Sequence, residues 1–454
     1  MSKKTLSRRE FLRLSALATA GAALAPYAAS ADTAGVVSRT PPAQEGVTIQ
    51  YWPSWGNFMP AWEKMVETEE IKEFLGPNTV EVKTGTPWEA LLTAVAAGTP
   101  PDAASNVQYL DLMARGVLRP VEDWVEASEY VKKEFYLEGS WNDGFYQGVM
   151  YGVPAIEGFL RYGLNYNAKM VEDAGLDPDN PPLTWEECLT WHEALTKFDD
   201  AGNLVQIGLD PYDAMGGQIG IQDGFYPPVS WGWKWFDADA GTFDLANEMM
   251  AEAFEVMGEF YRIAGPDNIA GMRSVEGQGG WGGSFNAGVQ AMIIEGYWHP
   301  GETIIQKPEI GQLNRATWAP VPEARKGVKV QGTGGHYVIF FKDAPNTEPM
   351  FRIAEFFQTD TACQILFDDV GWLPGLIPFI EKTDPSAYPG LDFYFKSVEE
   401  ATEWSSPARC PITAFVSQQY QELREKVFRD QMSGADAAAE FQARCEAEWE
   451  AQGF

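Results

Sequence analysis

Three histidines (His192, His299 and His336) and four cysteines (Cys188, Cys363, Cys410 and Cys445) are the chain's whole stock of imidazoles and thiols. Neither set forms a catalytic or metal-binding constellation. The cysteines are not at metal-ligand spacing, and there is no G-x-S-x-G elbow, no Walker A loop and no H-E-x-x-H. His192 shares an apolar helical face with Trp185, Cys188, Leu189 and Leu195, which suits a hydrogen-bonded core histidine. Cys188 and Cys363 fall on similar faces and suit buried free thiols. His299 and His336 stand beside Trp298 and Gly334-Gly335; they fit polar ligand contacts, and neither has a visible partner as a general base. The run Gly277 to Gly283 (GQGGWGG) lacks the Lys-Ser/Thr ending of a phosphate loop and reads as a flexible loop. Paired carboxylates can hydrolyse glycosides, but among 65 acids some pair always looks suggestive. A hydrolase therefore stays open as an alternative, while the reading favoured is of no catalytic residue, no metal ligand and no cofactor.

The aromatic residues say more. Seventeen tryptophans occur, and several avoid helix faces. Trp52 and Trp55 flank Pro53, Trp231, Trp233 and Trp235 alternate in SWGWKWF, Trp298 follows AMIIEGY, and Trp372 sits in GWLP. Aromatic faces stack on the C–H faces of sugar rings, while carboxylates and amides bind the hydroxyls. A small-molecule site combines such an apolar lining with a few placed polar groups. Core filling accounts equally well for any one of these tryptophans, and the period-two spacing of Trp231, Trp233 and Trp235 would turn one or two of them into a core if the segment were a strand.

The elements that must position these side chains alternate. Val47 to Trp52 reads as a strand and Pro60 to Leu75 as a helix; Thr79 to Lys83 is a second strand. Thr86, Pro87 and Glu89 then predict a capped helix start with proline at its first position, and a short strand follows near Ala103 to Val107. Thr184 and Glu187 predict a second capping box. Val205 to Leu209, Ala291 to Ile294 and His336 to Phe341 read as buried strands. Helices are expected around Met350 to Phe357, Phe415 to Met432 and Ala435 to Trp449. Alternation of this kind predicts an α/β fold with largely parallel sheets, in two lobes with a ligand crevice between them.

The first 31 residues are an address. Ser7 to Arg13 (SRREFLR) spell a twin-arginine motif, an Ala- and Leu-rich stretch follows, and Ala29-Ser30-Ala31 offers a cleavage site. Residues 32–46 read as a flexible leader. No later segment is a run of 18 apolar residues, so no membrane span is expected. The chain carries a formal charge of −32. Residues 1–31 hold five bases and one acid, so the remainder has 64 acids against 28 bases, or −36. Such a field excludes nucleic acid and disfavours phosphorylated ligands. It is compatible with neutral or cationic ones, and surface acidity for solubility explains it equally well.

The order of motifs resembles family 1 extracellular solute-binding proteins of ABC importers, the group that includes maltodextrin-binding proteins. Leu91 to Asn106 (LLTAVAAGTPPDAASN) is similar to the family's helix followed by G-x-P-P-D and a strand. Gly116 to Trp124, Tyr151-Gly-Val-Pro154, Leu164 to Asn167, Phe285 to Met292, Ala319 to Pro322, Gly334-Gly335 and Gly371 to Pro374 continue the pattern in order. The resemblance implies a periplasmic-binding-protein-like fold. Its N-lobe would comprise residues 47–155 plus 323–370 and its C-lobe 160–320 plus 373–454, with hinges near 156–159, 320–323 and 370–373. It implies capture of a small-molecule carbohydrate by lobe closure, delivery to ABC importer permease subunits, a monomer, and a periplasmic or extracellular location. A polyol or polyamine remains an alternative ligand. The residues it points to are Trp52 and Trp55 in the first βα loop, Asn106 and Tyr109 after P-P-D, Glu157 after Gly-Val-Pro, and Trp231 in the second lobe. It further points to Trp298 after the A-M strand, Gly335 and His336 on the returning strand, and Trp372. Asp102, a family marker, fits a structural turn as well as a ligand contact.

Overall fold

A computed structural model describes residues 46–212, 225–273, 283–406 and 408–454, apart from the side chains of residues 155 and 156. The twin-arginine segment, the leader up to residue 45 and the glycine-rich run up to residue 282 lie outside the described residues. The strands used below are β1 (Thr48–Pro53), β2 (Thr79–Val82), β3 (Ala103–Ser105), β4 (Gly152–Glu157), β5 (Gly163–Asn167) and β6 (Lys197–Phe198). They continue as β7 (Leu204–Leu209), β8 (Gln290–Glu295), β9 (Asn314–Thr317), β10 (Val330–Gly332), β11 (His336–Phe340) and β12 (Glu403–Ser405).

Two five-stranded sheets form the centres of two α/β lobes. The first has the order β2-β1-β3-β11-β4, and the second β9-β5-β8-β7-β6. In the first, β1 runs parallel to β2 and β3, whereas β11 is antiparallel to β3 and β4. In the second, β8 is parallel to β7 but antiparallel to β5. Each sheet is therefore mixed rather than largely parallel. β11 and β5 enter their sheets from the other lobe, entries not visible in a local strand–helix alternation, while β6 is antiparallel to β7 through a local hairpin. Ile49 and Tyr51 of β1, both fully buried, face the first core, where Tyr51 meets Phe58 and Phe357 at ring distances of 6.1 and 6.0 Å. The second core gathers around Trp185, Phe260 and Phe254, all fully buried.

The chain passes between the sheets after Glu157 and again between Thr317 and His336. It passes a third time after helix Asp360–Val370, which packs on Met59–Met65 of the first lobe. Beyond it, Tyr394 donates to Glu295 O of the second sheet (2.9 Å). The C-terminal helices Thr413–Phe428 and Gly434–Gln452 pack on Glu248–Ala264 of the second lobe.

Several local expectations need correction. The helix expected over 60–75 is two, Met59–Met65 and Glu69–Leu75, because the Thr68 hydroxyl caps a new start at Ile71 N. The helix expected to start at Thr86 starts at Trp88; Pro87 is extended and occupies the cap position, and the buried Thr86 hydroxyl has no hydrogen-bond partner among the described residues. The strand near 103–107 ends at Ser105, where Asn106 takes a positive φ of 53°. The segment holding Trp231 is a helix, Tyr226–Trp231, with prolines in its first turn, ended by Gly232 in the left-handed region. The Thr184–Glu187 capping box is present as expected, with both reciprocal bonds.

Candidate functional site

Where the lobes meet, an aromatic and ionic cluster is buried at the carboxyl ends of β4 and β8. Glu157 ends β4 and is 6% exposed. One carboxylate oxygen accepts from the Tyr297 hydroxyl (2.9 Å), just past β8 in the other lobe. Its second oxygen faces Arg161 Nη2 (3.7 Å) and His336 Nε2 (3.5 Å). Burial first, and the Glu157 charge second, hold the Tyr297 phenol well above its usual range, so it remains a donor. Tyr297 also lies 2.8 Å from Leu373 O. One hydroxyl thus touches the ends of both sheets and the third crossing.

His336 begins β11, beside β4, at an irregularity of register. Its Nδ1 lies 3.2 Å from the Tyr109 hydroxyl, which accepts from Asn106 N (2.5 Å). Tyr109 is stacked on Tyr337 at 3.9 Å. The Trp55 ring stands edge-on to His336 at 4.8 Å and tilted against Trp372 at 5.0 Å. Trp372 donates to Glu302 (2.6 Å), which also accepts from Asn57 (3.0 Å), so this buried acid of the second lobe is bonded to the first. Trp298 donates to Glu295 (2.6 Å), and the Arg161 guanidinium lies 5.6 Å from its ring centre. Gly335 is required by close approach, since a Cβ there would stand 2.3 Å from Glu157 O.

The structure therefore brings together Trp55, Asn106, Tyr109, Glu157, Trp298, Gly335, His336 and Trp372. It does not bring in Trp52 or Trp231. Trp52 points to the other face of the first sheet, packed with the Leu91 and Tyr337 cluster under Lys83. Trp231 is stacked on Trp185 at 5.9 Å and 25° inside the second lobe. Arg161, Tyr297, Glu295, Glu302 and Asn57 are members that residue-type reasoning passed over. The signal available for two of them was an acid and a tyrosine interrupting an apolar strand immediately before Trp298. Asp102 is structural: nearly fully buried, it accepts from Gln50 N and Asn346 N, both at 2.7 Å.

A pocket of about 430 Å³ is lined by Tyr162, Trp233, Trp235, Trp404 and Arg409 among others. The junction offers rigid aromatic faces, buried acceptors and a cation, and its groups come from both lobes and a crossing. Among the described residues, no three His, Cys, Asp or Glu side chains are grouped to hold a metal ion. No described helix is long and apolar enough to cross a membrane.

Two α/β lobes around a shared polar junction are the architecture of a two-lobed binding protein. The chain belongs to the bacterial extracellular solute-binding protein family, whose family model matches residues 52–362. Solved structures share the fold at low identity. CpMnBP1 with mannotriose bound is 19% identical, with a TM-score of 0.73, and the match covers 88% of this chain and all of that one. The sugar-binding protein MalE of Xanthomonas citri is 17% identical, with a TM-score of 0.65, covering 89% of this chain and 98% of its own. A solute-binding protein of Agrobacterium radiobacter in complex with ribitol is 18% identical, with a TM-score of 0.67, covering 89% and 99%. No curated protein is matched.

Proposed function

We propose that this chain is the exported substrate-binding component of an ABC transporter, taking up a sugar or oligosaccharide between its lobes and delivering it to the membrane permease. The observation that carries the reading is the junction itself: Trp55, Trp298 and Trp372 supply ring faces, and Glu157, Arg161 and His336 supply hydrogen-bonding groups, from both sides of the crossings. That is the composition a polyhydroxylated, uncharged ligand needs. Mannotriose and acarbose, bound by proteins of the same fold, accord with it. Closure is population shift: the ligand stabilises the closed form by contacts it makes only there. The lobes are 47–155 plus 323–370 and 160–320 plus 373–454, turning on hinges near 156–159, 320–323 and 370–373. The chain acts as a monomer, without catalysis, outside the cytoplasmic membrane, after export by the twin-arginine route that residues 7–13 specify.

Thermal melts with a panel of mono- and oligosaccharides, ribitol and a polyamine test this, because a ligand of the folded state alone raises the midpoint. A rise with a saccharide is expected. A rise with the polyamine and with no saccharide would overturn the reading. Ribitol in one neighbour favours a polyol as second reading, and a rise with ribitol alone would select it. Release of sugar from a polysaccharide would contradict the absence of catalysis.

A further inference from the structure

We propose that Tyr109 is a positioning residue of the junction: its hydroxyl holds His336 as a neutral imidazole with the proton on Nε2, so that a donor stands beside the open Glu157 acceptor and the junction keeps this state from about pH 8 to about pH 5. The inference rests on reading the junction as the ligand site, and it adds how one of that site's donors is set.

The direction of each proton follows from the neighbours. Tyr109 opens the helix Tyr109–Ala114 and is buried. Its oxygen accepts from two backbone amides, Asn106 N (2.5 Å) and Tyr337 N (3.4 Å). An amide N–H can only donate, so both lone pairs of the hydroxyl are taken and its single proton is left for a third partner. That partner is His336 Nδ1, at 3.2 Å. Burial holds the phenol well above its usual range, so the proton stays on it. An Nδ1 that accepts carries no proton, and a neutral imidazole must then carry it on Nε2.

The surroundings of the imidazole come from several elements. Tyr109 is stacked on Tyr337 of β11 at 3.9 Å, and Asn106 is set just past β3 by its left-handed φ of 53°. The Trp55 ring stands edge-on at 4.8 Å and brings no charge. On the Nε2 side, Glu157 Oε1 of β4 lies at 3.5 Å, and Arg161 Nη2 faces the same oxygen at 3.7 Å. Tyr297 donates to the other carboxylate oxygen, and Asp143 lies beside Gly334, two residues before the imidazole. Glu157 attracts an imidazolium and Arg161 repels one, so the two charges oppose each other. At Nδ1 a second ring proton would meet a donor whose oxygen is already filled. The hydrogen bond to Nδ1 exists only in the neutral form and therefore opposes protonation.

The consequence is a donor beside an acceptor. Glu157 Oε1 is buried and has no hydrogen-bond partner among the described residues. A hydroxyl both donates and accepts. Set between Nε2–H and Oε1, it would give its proton to the carboxylate and take a hydrogen bond from the imidazole. With the proton on Nδ1 instead, a ring lone pair would face the carboxylate, and both groups would be acceptors. The tautomer therefore decides whether this corner of the junction takes a hydroxyl.

The test is nitrogen NMR of the purified protein labelled at histidine, with the His336 signals assigned by their loss in His336→Gln. His192 supplies a reference pattern in the same spectra, since its Nδ1 accepts from Leu209 N (2.9 Å) and its Nε2 lies 3.0 Å from Phe260 O. Wild-type His336 should show a proton on Nε2, an Nδ1 resonance displaced by an accepted hydrogen bond as in His192, and no protonation from about pH 8 to about pH 5. A proton on Nδ1, an undisplaced Nδ1, or titration near the ordinary imidazole value of about 6.5 would overturn the proposal. Tyr109→Phe should abolish the displacement and bring protonation of the ring up by at least about one pH unit; spectra unchanged from the wild type would also overturn it. The wild-type spectra decide the donation to Nδ1 even where the variant does not fold. The saccharide that raises the melting midpoint should shift the His336 Nε2–H signal and leave that of His192 in place; binding without such a shift would overturn the role in recognition. Where no saccharide raises the midpoint, the carbohydrate reading fails, and the spectra still decide the tautomer and its dependence on Tyr109.

Discussion

Trp231→Ala separates a core tryptophan from a ligand contact. Trp231 is 5% exposed and stacked on the fully buried Trp185. Truncating a buried tryptophan costs about 3–5 kcal/mol, of which the aromatic pair supplies about 0.5–1.5 kcal/mol. For a lobe of roughly 200 residues, this lowers the melting temperature by about 6–20 °C. Trp231→Phe should cost much less. The indole Nε1 is buried without a hydrogen-bond partner among the described residues, so phenylalanine removes an unsatisfied donor worth about 1–3 kcal/mol while retaining a ring against Trp185. The assay is thermal melting of wild type and both variants without ligand, followed by sugar titration below each midpoint. Expected is a large drop for alanine, a small one for phenylalanine, and unchanged affinity in whatever fraction remains folded. An alanine variant with a wild-type melt but lost sugar binding would refute the placement of Trp231 in the core.

Three further outcomes follow from buried polar groups. Asp102→Ala strips a charged acceptor from Gln50 N and Asn346 N and should destabilise the first lobe by about 3–5 kcal/mol without altering ligand affinity, read by melting and titration together. Burial depresses His192 to about 4 and His299 to about 3. The unfolded chain therefore takes up protons from about pH 6.5 downward while the native imidazoles stay neutral, and stability is full above pH 6.5 and falls as pH drops toward 4. His192→Gln should flatten part of that fall in melts across pH 7 to 4.5, even though its own loss of bonds to Phe260 O and Leu209 N lowers the whole curve. The four cysteines are free and buried, and burial raises each thiol, Cys410 to about 12; a thiol reagent should leave the native protein unmodified and label four groups once it is unfolded.

Local chemistry was legible in the sequence, and pairing across the crossings was not. The Thr184–Glu187 capping box could be read because every partner lies within four residues. His192 was readable as a core histidine, since its helical face was apolar; the structure adds its two backbone partners. Thr86 misled because the following proline adopts the extended cap conformation itself, so the hydroxyl caps no backbone N–H of the helix. In the SWGWKWF segment the tryptophan alternation outweighed a better local signal, two prolines in the first turn of a short helix and a glycine just after it. At the site, tryptophans next to motif glycines and prolines were visible. The partnership of Glu157 with Tyr297, 140 positions later, and of Trp372 with Glu302 exists only once the crossings bring these segments together. Spacing cannot encode that.

The insertion of β11 between β3 and β4 also fixes an order of assembly. Its neighbours Ala104 and Gly152 are made early in synthesis, and Ile339, which pairs with both, arrives long after either. Until then the first sheet has a gap between β3 and β4, with two strand edges unpaired and exposed to wrong partners. Closing such a long loop slows folding relative to a locally connected sheet. The first lobe therefore waits for most of the second to be translated, and the two mature almost together. A cellular route that moves this chain only after folding would spare it from repeating that wait on the far side of the membrane.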